Sequence, residues 1–325
     1  MSSLYQGILS AAISDQDGLS WERCWQFLMD GFTGRGKRIF MDRGVVRWAV
    51  NSGAWNPSES QFSAFLDLLP ASDRPQVLRY FKFEDRKKAL VSRLLQRKLI
   101  RSRFNIDYHD VNIERTIEGK PYLANSIDGS EFPSFNFNVS HHGKFVVLAS
   151  EPLCIVGVDV MNHEMVRKEE PATFFKAFQN CFTKLEWDML WSAGPAPGPL
   201  YEQFYRLWCL KEAYIKAVGI GLGFDLLRAE FFYPTGDIWS DIAQLRIDSR
   251  EKQKWRFSLH KLDGHSVCVA KGPPDDATES FRKTLKVTSI DTASLLVALE
   301  APEKQFDLLE VSDLVPEKHE LLESL

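Results

Sequence analysis

The chain has 325 residues, of which 44% are hydrophobic and 26% charged, an ordinary globular composition that excludes wholesale disorder and a fibrous repeat. Its 40 basic residues nearly balance its 44 acidic residues, and the net charge of −4 lacks the basic excess of many nucleic-acid-binding proteins. The length suggests about two domain-sized units.

The cysteines and the start of the chain indicate a reducing compartment. The five cysteines are widely spaced and never form a Cys-x-x-Cys pair, so we expect neither a disulfide framework nor a zinc site. No apolar run approaches the roughly 18 residues of a membrane span. Residues 1–20 have the pattern of neither a secretory signal nor a transit peptide. The prediction is therefore a cytosolic protein.

The first elements follow an N-terminal extension at 1–43, which contains an apolar stretch at 21–29 and a Gly-rich linker at 33–37. That linker lacks the spacing of a phosphate-binding loop. The first folded block is predicted at 44–152. Its elements are a strand at 45–50, helices at 60–69 and 85–104, and strands at 111–116 and 145–150.

The second block, 153–272, has the clearest helical pattern in the chain. Its predicted elements are strands at 155–160, 255–260 and 266–270, and helices at 174–182, 184–192 and 202–218. A Gly- and Pro-rich segment at 194–199 is predicted as a loop before the long helix. Residues 273–325 are predicted as an acidic, weakly ordered tail, in which 295–297 could dock as a short element.

The long helix and the strand at 155–160 carry the first candidates for chemistry. Trp208, Glu212 and Lys216 recur every four residues and so share one helix face. Alone, the Glu–Lys pair fits an exposed ion pair, but on a mostly apolar helix it fits a cleft. Asp159 is either a turn cap or a metal ligand. Asp159 and Glu212 together could supply two oxygens to Mg²⁺.

Upstream segments carry polar side chains suited to phosphate. Asn138-Val139-Ser140-His141 ends a strand-like run and fits either phosphate binding or a turn. Arg115 and Lys120 flank Gly119 in a turn that is either solvated or open to a phosphate. The basic face of the helix at 85–104 is either solvated or a docking surface for an acidic partner or a phosphate.

Read together, these segments resemble the 4'-phosphopantetheinyl transferases of the large pseudodimeric type. The matching motifs are Gly119-Lys120-Pro121, Asn138-Val139-Ser140-His141, Gly157-Val158-Asp159 and Trp208-Cys209-Leu210-Lys211-Glu212-Ala213-Tyr214-Ile215-Lys216. The resemblance covers about residues 44–271. It implies an α+β fold of two similar halves related by a pseudo-twofold, each a small sheet packed on a long helix.

The resemblance also implies a reaction. A Mg²⁺-dependent enzyme would transfer 4'-phosphopantetheine from coenzyme A to a serine of an apo acyl-carrier protein and release adenosine 3',5'-bisphosphate. The implied metal ligands are Asp159 and Glu212, and Lys216 completes the implied catalytic set. Glu212, or a water it orients, is the implied base. The implied coenzyme contacts are Arg74, Arg79, Arg115, Thr116, Gly119, Lys120, Asn138, Ser140, His141, Asp159, Lys211, Glu212 and Lys216.

The chain departs from the family pattern at two positions. Met161 stands where many members carry a third acid, and Gln76 stands near Arg74 where a basic residue is expected. The implied partners are carrier domains, as in fatty acid synthase or aminoadipate-semialdehyde dehydrogenase-like reductases, with no nucleic acid or membrane, and the implied state is a monomer. A non-catalytic module that recruits carriers and a nucleotide hydrolase are the alternatives. Intact acids argue against the first, and the missing phosphate loop against the second.

Overall fold

The chain divides between Arg43 and Gly44 into two units, and every residue described below belongs to the second. The residues that the computed structural model describes are 44–127, 132, 134–163, 170–286 and 290–316. The helical stretch predicted at 21–29 and the linker predicted at 33–37 lie outside them. None of the helices in these ranges is both long and apolar enough to cross a membrane.

The described residues form a mixed structure of helices and strands. The strands are β1 Val46–Asn51, β2 Ile113–Arg115, β3 Pro121–Leu123, β4 Asn136–His142, β5 Phe145–Glu151, β6 Ile155–Asn162, β7 Ala229–Phe232, β8 Ile242–Ile247, β9 Arg250–Glu251, β10 Arg256–Leu262, β11 His265–Gly272 and β12 Asp307–Leu309. The α-helices are α1 Glu59–Asp67, α2 Arg74–Leu78, α3 Phe83–Phe104, α4 Pro171–Phe175, α5 Lys184–Trp191, α6 Pro197–Val218, α7 Glu279–Arg282 and α8 Thr292–Glu300. Single 3₁₀ turns lie at Lys176–Phe178, Gly221–Gly223, Leu226–Arg228, Pro274–Asp276 and Ser312–Leu314.

Helix α3 packs on a four-stranded sheet of order β12-β1-β5-β4. The apolar stripe predicted from the sequence lies fully buried on this helix and consists of Leu90, Leu94, Leu95 and Leu99. Glu84 and Asp85 occupy the first turn, where a carboxylate suits the positive end of the helix dipole. Asn105 ends the helix in the left-handed conformation, with φ of 53°.

Helix α6 packs on the second sheet, whose strands have the order β6-β11-β10-β8-β7, with β9 paired to β8. The contact with β6 is close because of Gly157, where an added Cβ would lie 2.0 Å from the Ala213 carbonyl oxygen. A glycine is therefore required at that point for the helix to approach the strand. Gly219 ends the helix with φ of 81°.

The two sheets meet through an apolar cluster made by alternate residues of their facing strands. Its buried members are Ala49, Phe145, Val147, Ala149, Val156, Val158, Val160, Val267 and Val269. Two asparagines of β4 also reach across to β6. Asn136 Oδ1 accepts a hydrogen bond from the Val156 N–H and Asn138 Oδ1 one from the Val158 N–H, each 2.9 Å long. These bonds fix β4 beside β6, so residues at the ends of both strands become neighbours.

Two element boundaries differ from the predictions. The helix predicted at 202–218 begins earlier, at Pro197, because proline is tolerated in the first turn, where the backbone N–H has no helical partner. The predicted loop at 194–199 is therefore partly helical. The helix predicted at 174–182 is only the end of α4 followed by a 3₁₀ turn.

The described part of the predicted tail contains regular structure. Strand β12 pairs in parallel with β1, with Trp48 opposite Asp307. Leu295 and Leu299 of α8 pack against Cys154. The sequence predicts weak order from the excess of acids, but Glu303 is neutralised by ion pairs with Arg47 and Lys271. Ion pairs with basic residues far away in the sequence explain why this acidic segment contains regular structure.

Candidate active site

A pocket of about 520 Å³ is lined by α3, the turn between β2 and β3, strand β4 and the C-terminal end of α6. Several residues predicted from separate motifs line it together, namely Arg79, Arg115, Gly119, Lys120, Asn138, His141 and Lys216. Arg93, which the sequence places on the docking face, lines the same pocket. The structure thus joins three of the four motifs at one cavity.

Lys216 links three elements at the edge of this pocket. Its Nζ lies 2.6 Å from Asp159 Oδ1 and donates a second hydrogen bond of 2.9 Å to Ser140 Oγ. Ser140 Oγ in turn donates to Asp159 Oδ1 at 2.9 Å. The three side chains come from α6, β6 and β4, and the asparagine bridges from β4 to β6 bring them within reach. The fourth motif therefore contacts the pocket through Lys216.

Asp159 and Glu212 are the two carboxylates next to Lys216, although neither is among the residues that line the pocket. Asp159 is 4% exposed, and its second oxygen, Oδ2, is buried without a hydrogen-bond partner. Burial raises the pKa of Glu212, Lys216 opposes this change, and the negative charge of Asp159 adds to it. A carboxyl with a raised pKa in a cleft is suited to accepting a proton near neutral pH.

The carboxylates fit a divalent cation that completes its shell with other ligands. Among the residues that the structure describes, no three His, Cys, Asp or Glu side chains gather as a metal site. Mg²⁺ commonly takes one or two carboxylates and fills the remaining positions with water and substrate phosphate. The orphaned Oδ2 of Asp159 is the oxygen that such an ion would satisfy.

Arg79, Arg93 and Arg115 bring three guanidinium groups to the pocket, against the one carboxylate of Glu118 in its lining. Within the described ranges none of the three forms an ion pair with a carboxylate. Burial lowers the pKa of Arg93, the negative charge of Asp73 opposes this change, and the positive charges of Arg115 and Arg79 add to it. Arg93 is held by hydrogen bonds to the Ala89 carbonyl at 3.1 Å and to Gln76 Oε1 at 3.0 Å. Clustered guanidinium groups of this kind suit phosphate.

His141 lines the pocket at the end of β4. Burial lowers the pKa of its imidazole, and the nearby ammonium groups of Lys88 and Lys216 lower it further. A bound anion would offset that repulsion and favour the protonated ring. His141 therefore has the position and the electrostatic setting of a phosphate contact.

Lys120 lines the pocket, but its ammonium group and Thr116 make their hydrogen bonds within the protein. The Thr116 hydroxyl accepts from the Lys120 N–H at 3.2 Å. The Lys120 ammonium is buried and donates to the carbonyls of Val156 and Lys216 at 2.9 and 2.6 Å. Burial, together with the charge of Lys216, lowers the pKa of Lys120 to about 7. The ammonium thus donates to two backbone oxygens, and its predicted contact with phosphate stays a prediction.

Two other predicted coenzyme contacts lie away from the pocket. Arg74 forms an ion pair of 2.6 Å with Asp67 and donates to the Leu69 carbonyl. Lys211 is 1% exposed and pairs at 2.8 Å with Glu186, which is itself fully buried. Both cations are paired with acids and neither lines the pocket, so their contact with coenzyme stays a prediction.

The basic face predicted for docking is also largely internal. Lys87 donates to the Trp55 carbonyl at 2.8 Å, and Arg97 pairs with Asp73 at 2.9 Å. Both are buried. The remaining basic residues of the face are all partly buried, namely Arg86, Lys88, Arg93, Lys98 and Arg101. Lys87 and Arg97 are therefore not accessible to a partner, and docking through the other five stays a prediction.

Arg93 entered the sequence analysis only as one member of the basic face of α3, and not as a separate coenzyme contact. Its spacing on α3 resembles that of the other basic residues, so nothing in the local pattern separates it from them. Only the fold brings α2 and Gln76 beside it. The sequence did contain one indication. Gln76 stands where the family pattern has a basic residue, so a phosphate bound there would need a cation from another position.

Comparison with known proteins identifies a family for the chain. Two family models match the chain, one described as "4'-phosphopantetheinyl transferase, N-terminal" over residues 53–153 and one as "4'-phosphopantetheinyl transferase superfamily" over residues 155–270. The boundary between the two matches falls between strands β5 and β6, which belong to the two facing sheets.

Curated relatives extend the match over most of the chain. The L-aminoadipate-semialdehyde dehydrogenase-phosphopantetheinyl transferase of Mus musculus is 34% identical over 83% of this chain and 85% of its own length. The protein of that name in Xenopus laevis is 37% identical over 74% of this chain and 79% of its own length. A phosphopantetheinyl transferase of Thraustochytrium is 39% identical over 70% and 78%.

These matches confirm the resemblance drawn from the four motifs, and the mixed helix-and-sheet structure confirms the α+β class in its coarse form. Both family models describe transferases, so the prediction of an enzyme is confirmed as well. The chain therefore belongs to the 4'-phosphopantetheinyl transferase family.

Proposed function

We propose that this chain transfers 4'-phosphopantetheine from coenzyme A to a serine of apo acyl-carrier protein domains, in a Mg²⁺-dependent reaction that releases adenosine 3',5'-bisphosphate. The observation that carries this proposal is the Lys216–Asp159–Ser140 cluster at the edge of a pocket with three arginines. Such a pocket suits a ligand with several phosphate groups. Family membership supports the same chemistry.

The proposed reaction is one displacement at phosphorus. The serine oxygen forms a bond to the β-phosphorus of coenzyme A, and the bond from that phosphorus to the oxygen bridging the α-phosphate breaks. The serine proton passes to the carboxylate of Glu212, whose pKa is raised by burial. Lys216 stabilises the negative charge of the departing phosphate as a point charge.

Asp159 and Glu212 would hold Mg²⁺, which would offset charge on the pyrophosphate during the displacement. Lys216 and Ser140 occupy Oδ1 of Asp159, so Oδ2 is the oxygen available to a cation. Met161 offers no oxygen where other members have a third acid, and a water fits that position better.

The proposed coenzyme contacts follow the pocket lining. Arg79, Arg93 and Arg115 would bind phosphate oxygens, and His141 would bind the 3'-phosphate. Gly119 has a φ of 94°, a conformation that favours glycine. Because glycine has no side chain, the coenzyme could approach the backbone closely at this point. Asn138 lines the pocket, but its side-chain oxygen is used in the bridge to β6.

We extend the proposal to the arrangement of the molecule. Each half, 44–152 and 153–272, has a 22-residue helix on a sheet, ended by a left-handed residue, which supports a pseudo-twofold relation. One chain would then supply both halves, as a monomer. Buried free thiols, at Cys154, Cys209 and Cys268, support a cytosolic location. The names of the relatives support a carrier domain of an aminoadipate-semialdehyde dehydrogenase-like reductase as one partner, beside fatty acid synthase.

The test is a transfer assay with the full chain, coenzyme A, Mg²⁺ and an apo acyl-carrier protein, read by mass spectrometry of the carrier. We expect a gain of one phosphopantetheine that EDTA abolishes. Glu212→Gln should lower the single-turnover rate by about 10²-fold or more, because an amide cannot accept the proton. Its affinity for coenzyme A should persist.

Bound coenzyme without transfer to any of several carriers would instead indicate a module that recruits carriers. Equal rates for Glu212→Gln and wild type would exclude Glu212 as the base.

A further inference from the structure

We propose that Lys120 is a positioning residue that fixes the C-terminal end of α6 against β6, and so sets the geometry of the pair formed by Lys216 and Asp159. The part of this inference that concerns catalysis rests on the proposed function. The structural part rests on contacts alone.

One ammonium group joins the two elements that carry the charged pair. Lys120 Nζ donates to the Val156 carbonyl at 2.9 Å and to the Lys216 carbonyl at 2.6 Å. Val156 precedes Asp159 by three residues on β6, and the Lys216 carbonyl belongs to the residue whose side chain meets Asp159. A shift of either backbone segment would change the distance between Lys216 Nζ and Asp159 Oδ1.

The Lys216 carbonyl needs a partner from outside the helix. The last four carbonyls of a helix have no N–H ahead of them. At the end of α6, the Ile215 carbonyl accepts from Gly219 and the Val218 carbonyl accepts from Thr278. Lys120 supplies the donor for the Lys216 carbonyl.

The site that receives Lys120 is enclosed. The residue is 6% exposed, and its ammonium lies 4.5 Å from the centre of the Phe281 ring. An added Cβ at Gly219 would lie 3.3 Å from the Lys120 side chain, so a larger residue would crowd it. The turn that bears Lys120 is itself held by bonds between Thr116 and Lys120. The ammonium therefore has one defined place.

Lys120 also joins the wall of the pocket to the charged pair. The turn from Glu118 to Pro121 lines the cavity, whereas Val156 and Lys216 belong to the second sheet and its helix. Removing the ammonium should leave the phosphate-binding arginines in place while loosening the end of α6. Binding of coenzyme and the rate of transfer should therefore respond differently.

The structural part is tested by hydrogen exchange on the full chain, comparing wild type with Lys120→Met. The control is Lys87→Met, since Lys87 is also a buried lysine on a backbone carbonyl but does not line the pocket. We expect amides at 215–220 to exchange about tenfold faster in Lys120→Met only. Equal exchange rates of the amides at 215–220 in all three proteins would refute the positioning role of Lys120. If Lys120→Met does not fold, Lys120→Gln serves the same test.

The catalytic part is tested by steady-state transfer with the same variants. Lys120→Met should lower kcat by about tenfold or more, because small misplacements of reacting groups are costly. Its KM for coenzyme A should stay near the wild-type value, and Lys87→Met should change neither. A raised KM with unchanged kcat would show that Lys120 binds coenzyme instead. Absence of transfer by wild type would refute the proposed function, and hydrogen exchange would still decide the positioning contact.

Discussion

Lys211 and Lys216 belong to one motif, yet the structure gives them opposite environments. Five residues along a helix correspond to a rotation of about 140°, so the two side chains cannot share a face. Lys216 is 27% exposed and meets Asp159 at the pocket, whereas Lys211 is 1% exposed and meets Glu186. Lys211 also donates to the Leu226 and Ala229 carbonyls. Lys211 therefore stabilises the fold of the second half.

The first prediction concerns this buried pair. Lys211→Met should lower the free energy of unfolding by about 3–5 kcal/mol, because it leaves Glu186 charged, buried and without its cation. The affinity for coenzyme A should change little in the folded fraction. Urea unfolding and calorimetric titration measure the two quantities.

Lys283→Met is the matched control, since Lys283 forms an exposed ion pair with Glu279 on α7. Such surface pairs contribute little, so its stability should remain near that of wild type. Loss of coenzyme affinity in Lys211→Met without loss of stability would support the predicted role as a coenzyme contact.

Helix α3 shows how an element with two apparent faces can bury both. The apolar stripe packs on the sheet as predicted, but the basic residues opposite it donate into neighbouring loops. Arg97 is 3% exposed and donates to the Tyr108 and Val111 carbonyls in addition to its pair with Asp73. Charge spacing along a helix does not distinguish a solvated face from one covered by other segments.

The second prediction tests this at the level of the helix. Arg97→Glu should destabilise the protein by about 3–5 kcal/mol, because the new carboxylate is buried beside Asp73 and two carbonyl oxygens. Lys82→Glu, an exposed reversal just before α3, should leave stability nearly unchanged. Thermal or urea unfolding of the two variants gives the comparison. A stable Arg97→Glu protein with a raised KM for carrier would instead support the docking face.

At the scale of the whole molecule, the segment after the second half ties both sheets together. Glu303 forms ion pairs with Arg47 of β1 and Lys271 of β11, while β12 adds an edge to the first sheet. Tyr108 donates to the Leu314 carbonyl at 2.7 Å, which anchors the end of this segment near α3. The folded unit therefore extends past the family match, at least to residue 314.

The third prediction concerns pH and Glu303. Burial alone would raise its pKa, but Arg47 and Lys271 together lower it from 4.5 to about 2. A shift of that size corresponds to roughly 3 kcal/mol of stability. A lowered carboxyl pKa stabilises the folded state above pH 4.5, and this contribution is lost as the pH falls towards 2.

Glu303→Gln should therefore unfold more easily than wild type at pH 7, and the difference between them should shrink below pH 4.5. Urea unfolding across this range measures it. The exposed Glu310→Gln serves as control and should follow wild type at each pH. A difference between Glu303→Gln and wild type that stays constant with pH would rule out the ion pairs as its source.

The sequence by itself determined the family, the long helices and the residues of the charged pair. These depend on local order, such as four-residue spacing on α6, the stripe on α3 and the glycine that lets α6 approach β6. Only the tertiary structure decided which cations face the pocket. Lys120, Lys211, Arg74 and Arg97 each find their partners through the fold, and Arg93 enters the site the same way. Burial and ion pairing depend on segments that can lie far apart in the chain, and Arg47 and Glu303 are 256 residues apart. Local sequence patterns therefore do not predict which charged side chains are buried or paired.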